Sequence, residues 1–222
     1  MNVLAAAPAR LTVEIVFDFI CPWCYLGVTR LSRLIARRRD FDVALSWRPF
    51  LLNPDMPYAS TARADYMVRK FGAEDRARRL YASIAEAGAA EGIMFNFAAI
   101  RRTPNSVDAH RLVGEAAREG LAEAMVSRIF AAHFIEGWDI GSRPALAELA
   151  GEIGMDAADA LKFLESGEGA EHIHAENLHI HRLGINGVPC FIIDGEHAIA
   201  GAQESEVLER LIDLALCTAR ER

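Results

Sequence analysis

Cys21 and Cys24 lie in the stretch Ile15-Val-Phe-Asp-Phe-Ile-Cys-Pro-Trp-Cys-Tyr-Leu-Gly27. A Cys-x-x-Cys pair can staple a fold, hold a metal or trade electrons with another thiol. The flanking residues favour the last. Pro22 suits the first turn of a helix, where its missing N–H costs nothing. Cys21 then falls at the helix N-terminus, where unpaired N–H groups and the positive end of the helix dipole stabilise a thiolate. Such placement draws a thiol pKa from about 8.5 into roughly the 3.5–7.5 range, making it nucleophilic at neutral pH. Cys24, one turn on, shares an apolar helix face with Val28 and Leu31. We therefore expect an exposed attacking thiol at Cys21 and a shielded resolving thiol at Cys24, the asymmetry that thiol–disulfide exchange requires.

The other cysteines, Cys190 and Cys217, do not supply the second ligand pair a structural zinc site wants. The run Glu171-His-Ile-His-Ala-Glu-Asn-Leu-His-Ile-His181 also invites a metal reading. On a helix, His172 and His179 share one face, while His174 and His181 lie nearly opposite. Each pair is separated by roughly 10.5 Å along the axis, so no metal site is expected. Glu176 falls on the same helical side as Ile180 and Leu183, and nothing in the sequence accounts for it.

The elements that must position the pair follow from periodicity. Leu11 to Phe19 reads as a strand and Pro22 to about Arg39 as a helix. Asp42 to Phe50 reads as a second strand, ended by the Asn53-Pro54 turn signal. This β-α-β order favours a parallel pair joined by a crossover helix. From Ala62 to Ser166 the spacing is helical with little strand signal; Leu80, Ile84 and Ala87 mark one helix and Ala109, Leu112, Val113 and Ala116 another. Asn105 or Ser106, Ser142-Arg-Pro144 and Met155-Asp156 are helix-start signals. Strands return at Cys190–Ile193 and His197–Ala200 around an Asp194-Gly195 turn, and a last helix covers about Glu204 to Cys217. The fold class is α/β: one sheet built from both ends of the chain, with a large all-helical insertion. The expected division is 1–58, 59–167 for the insertion, and 168–222.

The chain has 222 residues, 52% of them apolar, enough for a core that needs no disulfides. A net charge of −7 argues against general nucleic-acid affinity. No apolar run approaches a membrane span, and the first residues lack the pattern of a signal peptide. A cytoplasmic protein is expected, and there a close cysteine pair is more often catalytic or metal-binding than structural.

The segments FDFICPWCYLG, WRPFLLNPDMP, NSVDAHRL, LGINGVPCFIIDG and AIAGAQ, in that order over nearly the whole chain, resemble the DsbA-like thioredoxin-fold family and, within it, the FrnE-like oxidoreductases. The resemblance implies a thioredoxin fold interrupted by a helical domain, with Cys21 attacking and Cys24 resolving. It also implies a cis Val188-Pro189 bond set against the pair, with the Val188 backbone pairing with bound peptide or glutathione as an added strand. The same superfamily holds the 2-hydroxychromene-2-carboxylate isomerases and kappa-class glutathione transferases. These characteristically carry Ser at the position of Cys21 and lack the second cysteine.

The function expected is thiol–disulfide exchange on a peptide, protein or glutathione substrate. No dissociable cofactor is required, and glutathione serves as a possible co-substrate. The rival enzyme reading is a glutathione-dependent isomerase or transferase, and a binding module for client peptides is the third. None of these sets an oligomeric state.

Other residues complete the list of candidates. Pro22 and Trp23 form the lip of the site, and Asn53, Val188 and Gln203 fall near segments that contact glutathione in the relatives. His110 is a candidate for the cleft between the insertion and the thioredoxin part, with a packed interdomain histidine as the alternative. Asp18, three residues before Cys21, is a carboxylate placed to tune a thiol, although the strand pattern does not require the two to share a face. Cys190, directly after the proline, is either a small buried hydrophobe or an auxiliary thiol. Trp47 is expected to pack, and Arg48 to border the substrate groove.

Overall fold

The structure, a computed structural model, describes residues 9–71 and 74–220. Strand β1 (Ala9–Phe17) buries one face along its length, at Leu11, Val13, Ile15 and Phe17, and the other only near its end, at Val16. It pairs in parallel with β2 (Phe41–Pro49) after the crossover helix α1 (Pro22–Arg37), and antiparallel with β5 (Cys190–Ile193). Strand β6 (His197–Ala200) closes the sheet, whose order is β2-β1-β5-β6. The β5–β6 connection has three residues, 194–196, between the paired Ile193 and His197; Asp194 and Gly195 sit at positive φ (51° and 71°) and Glu196 N donates to Ile193 O at 3.1 Å, closing the turn. Asp194 Oδ1 also accepts from Thr12 N at 2.8 Å, which ties the turn to β1.

Strand β1 stops at Phe17, two residues before the hydrophobic pattern does. There the chain turns, with Cys21 N donating to Asp18 O at 3.1 Å. Between β2 and β5 lie the ribbon strands β3 (Thr61–Ala62) and β4 (Arg102–Thr103) and the helices α2 (Arg63–Phe71), α3 (Glu74–Ala90), α4 (Val107–Arg118), α5 (Ala122–Ala131), α6 (Arg143–Glu152), α7 (Ala157–Ser166) and α8 (Ala170–Arg182). Helix α9 (Ser205–Arg220) follows β6. The small β3–β4 ribbon is an addition to the all-helical insertion expected; two residues per strand are too few to show alternation. Helix α5 runs on into a π-helical turn, Ala132–Glu136. Of the expected helix starts, Asp156 accepts from Ala158 N and Asp159 N, and Asn105 Oδ1 accepts from Val107 N.

One apolar cluster runs from the Leu11–Phe17 face of the sheet through α1 and α9 into α4, α5 and α6. The opposite face carries a smaller one, Val16, Phe50, Ile180 and Cys190, beneath α8. Tyr25 on α1 stacks on Phe130 of α5, with centroids 5.2 Å apart, so aromatic packing joins the helix of the cysteine pair to the insertion.

Glu176 now has its reason. It pairs with Arg48 of β2, which also pairs with Glu14 of β1, so one guanidinium bolts α8 to two strands. Arg48 therefore does not border a substrate groove. Its even position on β2 turns it to the α8 face of the sheet, where two carboxylates hold it. Arg111 is likewise structural: it donates to the carbonyls of Phe163, Leu164 and Glu168, capping the end of α7, and pairs with Asp108. No helix among the described residues is long and apolar enough to cross a membrane.

Candidate active site

Cys21 is the N-cap of α1, with extended backbone (φ −97°, ψ 110°) and Pro22 next to it as the first helical residue. Its Sγ lies 3.7 Å from Val188 O, and the Val188-Pro189 bond is cis. Pro189 is buried and Val188 half-buried. The approach is close because residue 27 has no side chain: Gly27 faces Pro189 and Phe191 across the helix. Behind it Gly201 N donates to Pro189 O at 2.7 Å. The Arg30 guanidinium, almost fully buried, binds the carbonyls of Ala202 and Gln203 and the carboxylates of Glu91 and Glu204.

The two thiols differ as the helix face predicts, but less openly. Cys24 is 0% exposed and Cys21 only 7%. The expected exposed attacking thiol is covered, because α2 and α3 of the insertion fold over it. Burial pushes the Cys24 thiol well above its ordinary range, and a hydrogen bond and charge interaction with Cys21 push the same way; the Asp18 backbone opposes them, while the Asp18 carboxylate adds to the rise.

Asp18 is brought to the pair after all. Its carboxylate is 0% exposed and accepts from Leu52 N (2.7 Å) and Ile20 N (3.3 Å). His110, on α4, stands 3.8 Å away from Nε2 to Asp18 Oδ1, wedged between the rings of Phe17 and Phe19. The histidine thus packs between α4 and the end of β1 and does not line the cavity over Cys21 described next.

Over Cys21 lies a cavity of about 90 Å³ lined by Cys21, Pro22, Trp23, Arg63, Thr103 and His133, with Leu80 and Ile84 of α3 among its apolar walls. Among the described residues no carboxylate lines it. Leu52, Tyr66 and Lys70 connect it to a recess of about 460 Å³ that includes Asn53, whose amide donates to Tyr66 Oη at 3.1 Å. His133 sits in the π-helical turn, a geometry frequent at functional sites. Burial holds its imidazole down to about 4, so the ring is neutral at pH 7. Its Nδ1 lies 3.1 Å from Trp138 O, which can only accept; the single proton is therefore on Nδ1 and Nε2 is left as an acceptor. Thr103 Oγ1 is buried with no hydrogen-bond partner.

Gln203 is bonded to its own loop, Nε2 to Ala200 O at 2.7 Å, behind the proline and away from the cavity. Cys190 is 4% exposed in the cluster beneath α8, its side chain on the opposite face of the sheet from neighbouring Phe191, which joins the cluster of the cysteine pair. Burial raises its thiol. Among the described residues no group of three or more His, Cys, Asp or Glu is arranged to hold a metal.

His133, Thr103, Arg63, Tyr66 and Lys70 were not legible as site residues. They come from the insertion, far in sequence from Cys21, and no spacing links them to it. The one signal was His133 inside the otherwise apolar run Ile129-Phe-Ala-Ala-His-Phe134.

The chain is 26% identical over 211 residues to the uncharacterized protein YwbO of Bacillus subtilis (strain 168), covering 90% of this chain and 94% of that one. Its fold is similar to the crystal structure of the probable DsbA oxidoreductase SCO1869 from Streptomyces coelicolor, with a TM-score of 0.84, 27% identity, and coverage of 93% and 90% of the two chains. It also matches the fold of the cytosolic disulfide reductase DsbM from Pseudomonas aeruginosa, solved alone and with GSH; for the former the TM-score is 0.62 at 23% identity, over 91% of this chain and 99% of that one. The model of the DSBA-like thioredoxin domain matches residues 12–213, and the chain belongs to that family of thioredoxin-fold oxidoreductases.

Proposed function

We propose that this chain catalyses thiol–disulfide exchange through Cys21 and Cys24, with a low-molecular-weight thiol such as glutathione or a peptide as its substrate. The observation that carries the reading is the placement of Cys21 at the α1 N-cap against Val188 O, with Cys24 sealed one turn below. In reduction, the Cys21 thiolate attacks a substrate disulfide R–S–S–R; a Cys21–S–S–R bond forms and one RS⁻ leaves. Cys24 then attacks Cys21 Sγ, forming the Cys21–Cys24 disulfide and releasing the second thiol. The enzyme loses two electrons and the substrate gains them. Oxidation of substrate thiols runs the same steps backwards.

The small mouth over Cys21 and the cationic Arg63 and Lys70 beside it favour a small acidic thiol over a folded protein. Val188 supplies the backbone against which such a thiol aligns, and Pro22, Trp23 and Asn53 border it. The reaction needs no dissociable cofactor. A cytoplasmic location suits such a reductase, as for the cytosolic DsbM whose fold it shares and which was solved with GSH.

The test is reduction of a small disulfide by wild type, Cys21→Ser and Cys24→Ser. We expect loss of turnover in both, with Cys24→Ser accumulating a mixed disulfide detectable by mass. Turnover that survives Cys24→Ser and saturates with glutathione would support the isomerase or transferase reading instead.

A further inference from the structure

The hydroxyl of Thr103 is a group that thiol–disulfide exchange leaves unused. Thr103 is 3% exposed and lines the small cavity over Cys21, and among the described residues its Oγ1 has no hydrogen-bond partner. Across the β3–β4 ribbon Thr103 pairs with Thr61, two residues before Arg63, whose N donates to Arg101 O at 3.0 Å. The ribbon thus brings a hydroxyl and a guanidinium to the same cavity as the Cys21 thiol. Arg63 Cζ lies 5.0 Å over the ring of Tyr81, another lining residue, which steadies the guanidinium there. His133 adds a third polar group. Its Nδ1 is held by Trp138 O and burial keeps the ring neutral, so Nε2 is an acceptor.

A buried hydroxyl without a partner is costly unless an occupant of the cavity supplies one. The occupant must be small. One water takes about 30 Å³ of liquid, so a space of about 90 Å³ admits only a few heavy atoms.

The polar set distinguishes an oxygen leaving group from a sulfur one. In disulfide exchange the departing atom is a thiolate sulfur, a large and diffuse anion that gains little from hydrogen-bond donors. A disulfide also has no proton to offer an imidazole nitrogen. When a thiolate attacks an O–O bond, charge gathers on a small oxygen, a much poorer leaving group, and donors fixed in a water-poor site stabilise that charge strongly. A hydroperoxide also carries an O–H, which Nε2 of His133 can accept. Donors at Thr103 and Arg63 with an acceptor at His133 therefore match HO–O better than S–S.

We propose that the cavity over Cys21 is a hydroperoxide site and that the chain reduces hydrogen peroxide or a small alkyl hydroperoxide, with a glutathione-like thiol as the final reductant. The proposal rests on the reading of Cys21 as nucleophile and Cys24 as resolving thiol. The Cys21 thiolate attacks the terminal oxygen of ROOH; an S–O bond forms, the O–O bond breaks, and RO⁻ takes a proton to leave as ROH. Cys21 sulfur has given up two electrons and stands as a sulfenic acid. Cys24 then attacks Cys21 Sγ. The S–S bond forms, the S–O bond breaks, and hydroxide leaves with the Cys24 proton as water. Two glutathione-like thiols return the disulfide to the dithiol by the exchange already described, becoming a disulfide themselves. The sum is one ROOH and two thiols giving ROH, water and one disulfide.

The test compares two oxidants on one protein. Reduced protein carrying Cys217→Ser, which removes the exposed thiol, is mixed with hydrogen peroxide or with glutathione disulfide. Formation of the Cys21–Cys24 disulfide is followed by acid quench, alkylation and mass. Hydrogen peroxide should oxidise Cys21 at least about a hundredfold faster than it oxidises the thiolate of free cysteine. In Cys24→Ser the reaction should stop at the Cys21 sulfenic acid, trapped by dimedone as a single adduct. Thr103→Val and His133→Leu should each lower the ratio of peroxide rate to disulfide rate by at least about tenfold. Thr103→Ser, which keeps the hydroxyl, should restore the ratio. A general loss of folding moves both rates together, so the ratio reports the cavity groups alone. A smaller advantage over free cysteine thiolate, or an unchanged ratio in both Thr103→Val and His133→Leu, would overturn the hydroperoxide site while leaving thiol–disulfide exchange intact. If neither oxidant forms the Cys21–Cys24 disulfide, the thiol–disulfide reading itself fails.

Discussion

Gly27 lies directly against Pro189: a Cβ on residue 27 would come within 3.0 Å of Pro189 Cγ, 3.1 Å of Phe191 Cζ and 3.4 Å of Ala202 Cα. The missing side chain lets α1, which carries both cysteines, close on the loop that faces Cys21. Ala in place of Gly normally gains about 1 kcal/mol in a helix interior. Overpacking of this kind costs about 1–3 kcal/mol. The clash wins, because Pro189 is held from behind by Gly201 N. Gly27→Ala should lose about 1 kcal/mol and Gly27→Val about 3 kcal/mol in urea unfolding. Both should also slow the reaction of Cys21 with a small disulfide. A Gly27→Val protein as stable and as reactive as wild type would show that the contact is slack.

Arg48 holds Glu14 and Glu176 together across two strands and a helix, all three side chains about four-fifths buried. Arg48→Met leaves two carboxylates facing each other without their cation. Breaking such a pair costs up to roughly 3–5 kcal/mol when fully buried, so about 2 kcal/mol is expected here. The loss should be largest at neutral pH, where both carboxylates are charged, and should narrow as acid protonates them. The triple replacement Arg48→Met, Glu14→Gln, Glu176→Gln should recover most of it. Equal losses in the single and triple variants would rule out charge as the cause.

His133 makes stability pH-dependent in a defined window. Its folded value, about 4, is below the ordinary 6.5 because burial disfavours the imidazolium. As pH falls, the unfolded chain takes the proton first. The contribution is therefore complete above about pH 6.5, declines between there and about pH 4, and is gone below. One proton corresponds to a slope of about 1.4 kcal/mol per pH unit. His133→Leu should be flatter than wild type by that amount in urea titrations across the window. Parallel curves would show that His133 protonates equally in both states.

Cys190 sits across the sheet from Cys21 and Cys24, packed with Val16, Phe50 and Ile180. Cys190→Ala should cost about 1 kcal/mol through the small cavity it leaves. The reduction potential of the Cys21–Cys24 pair should not move. A shift in that potential, measured against glutathione, would give Cys190 the auxiliary role instead.

The difference between Cys190 and Asp18 marks where sequence reading reached its limit. Both are close to a cysteine of the pair along the chain or through the proline loop, and both were open candidates. Strand alternation separates them: Cys190, paired with Val16, points to the α8 face, whereas Asp18 lies past the end of β1, where the turn bends its carboxylate under the helix. Alternation is legible only if the strand's end is known, and the hydrophobic run through Phe19 concealed it. Glu176 and Arg48 show the same limit, since an ion pair 128 residues apart in sequence has no local pattern.

By itself the sequence determined the local chemistry: two thiols at a helix N-terminus, one on the apolar face, with a parallel β-α-β unit to carry them and a final hairpin and helix to complete the sheet. These are matters of near-neighbour spacing, capping and alternation, which act over a few residues. Only the tertiary structure decided how open Cys21 is, which charges and hydroxyls surround it, and what lies beneath Cys24. Those depend on how α2, α3, α4 and the π-helical turn dock on the sheet. Such docking is a sum of many weak apolar contacts between distant segments, and no single residue pattern encodes it.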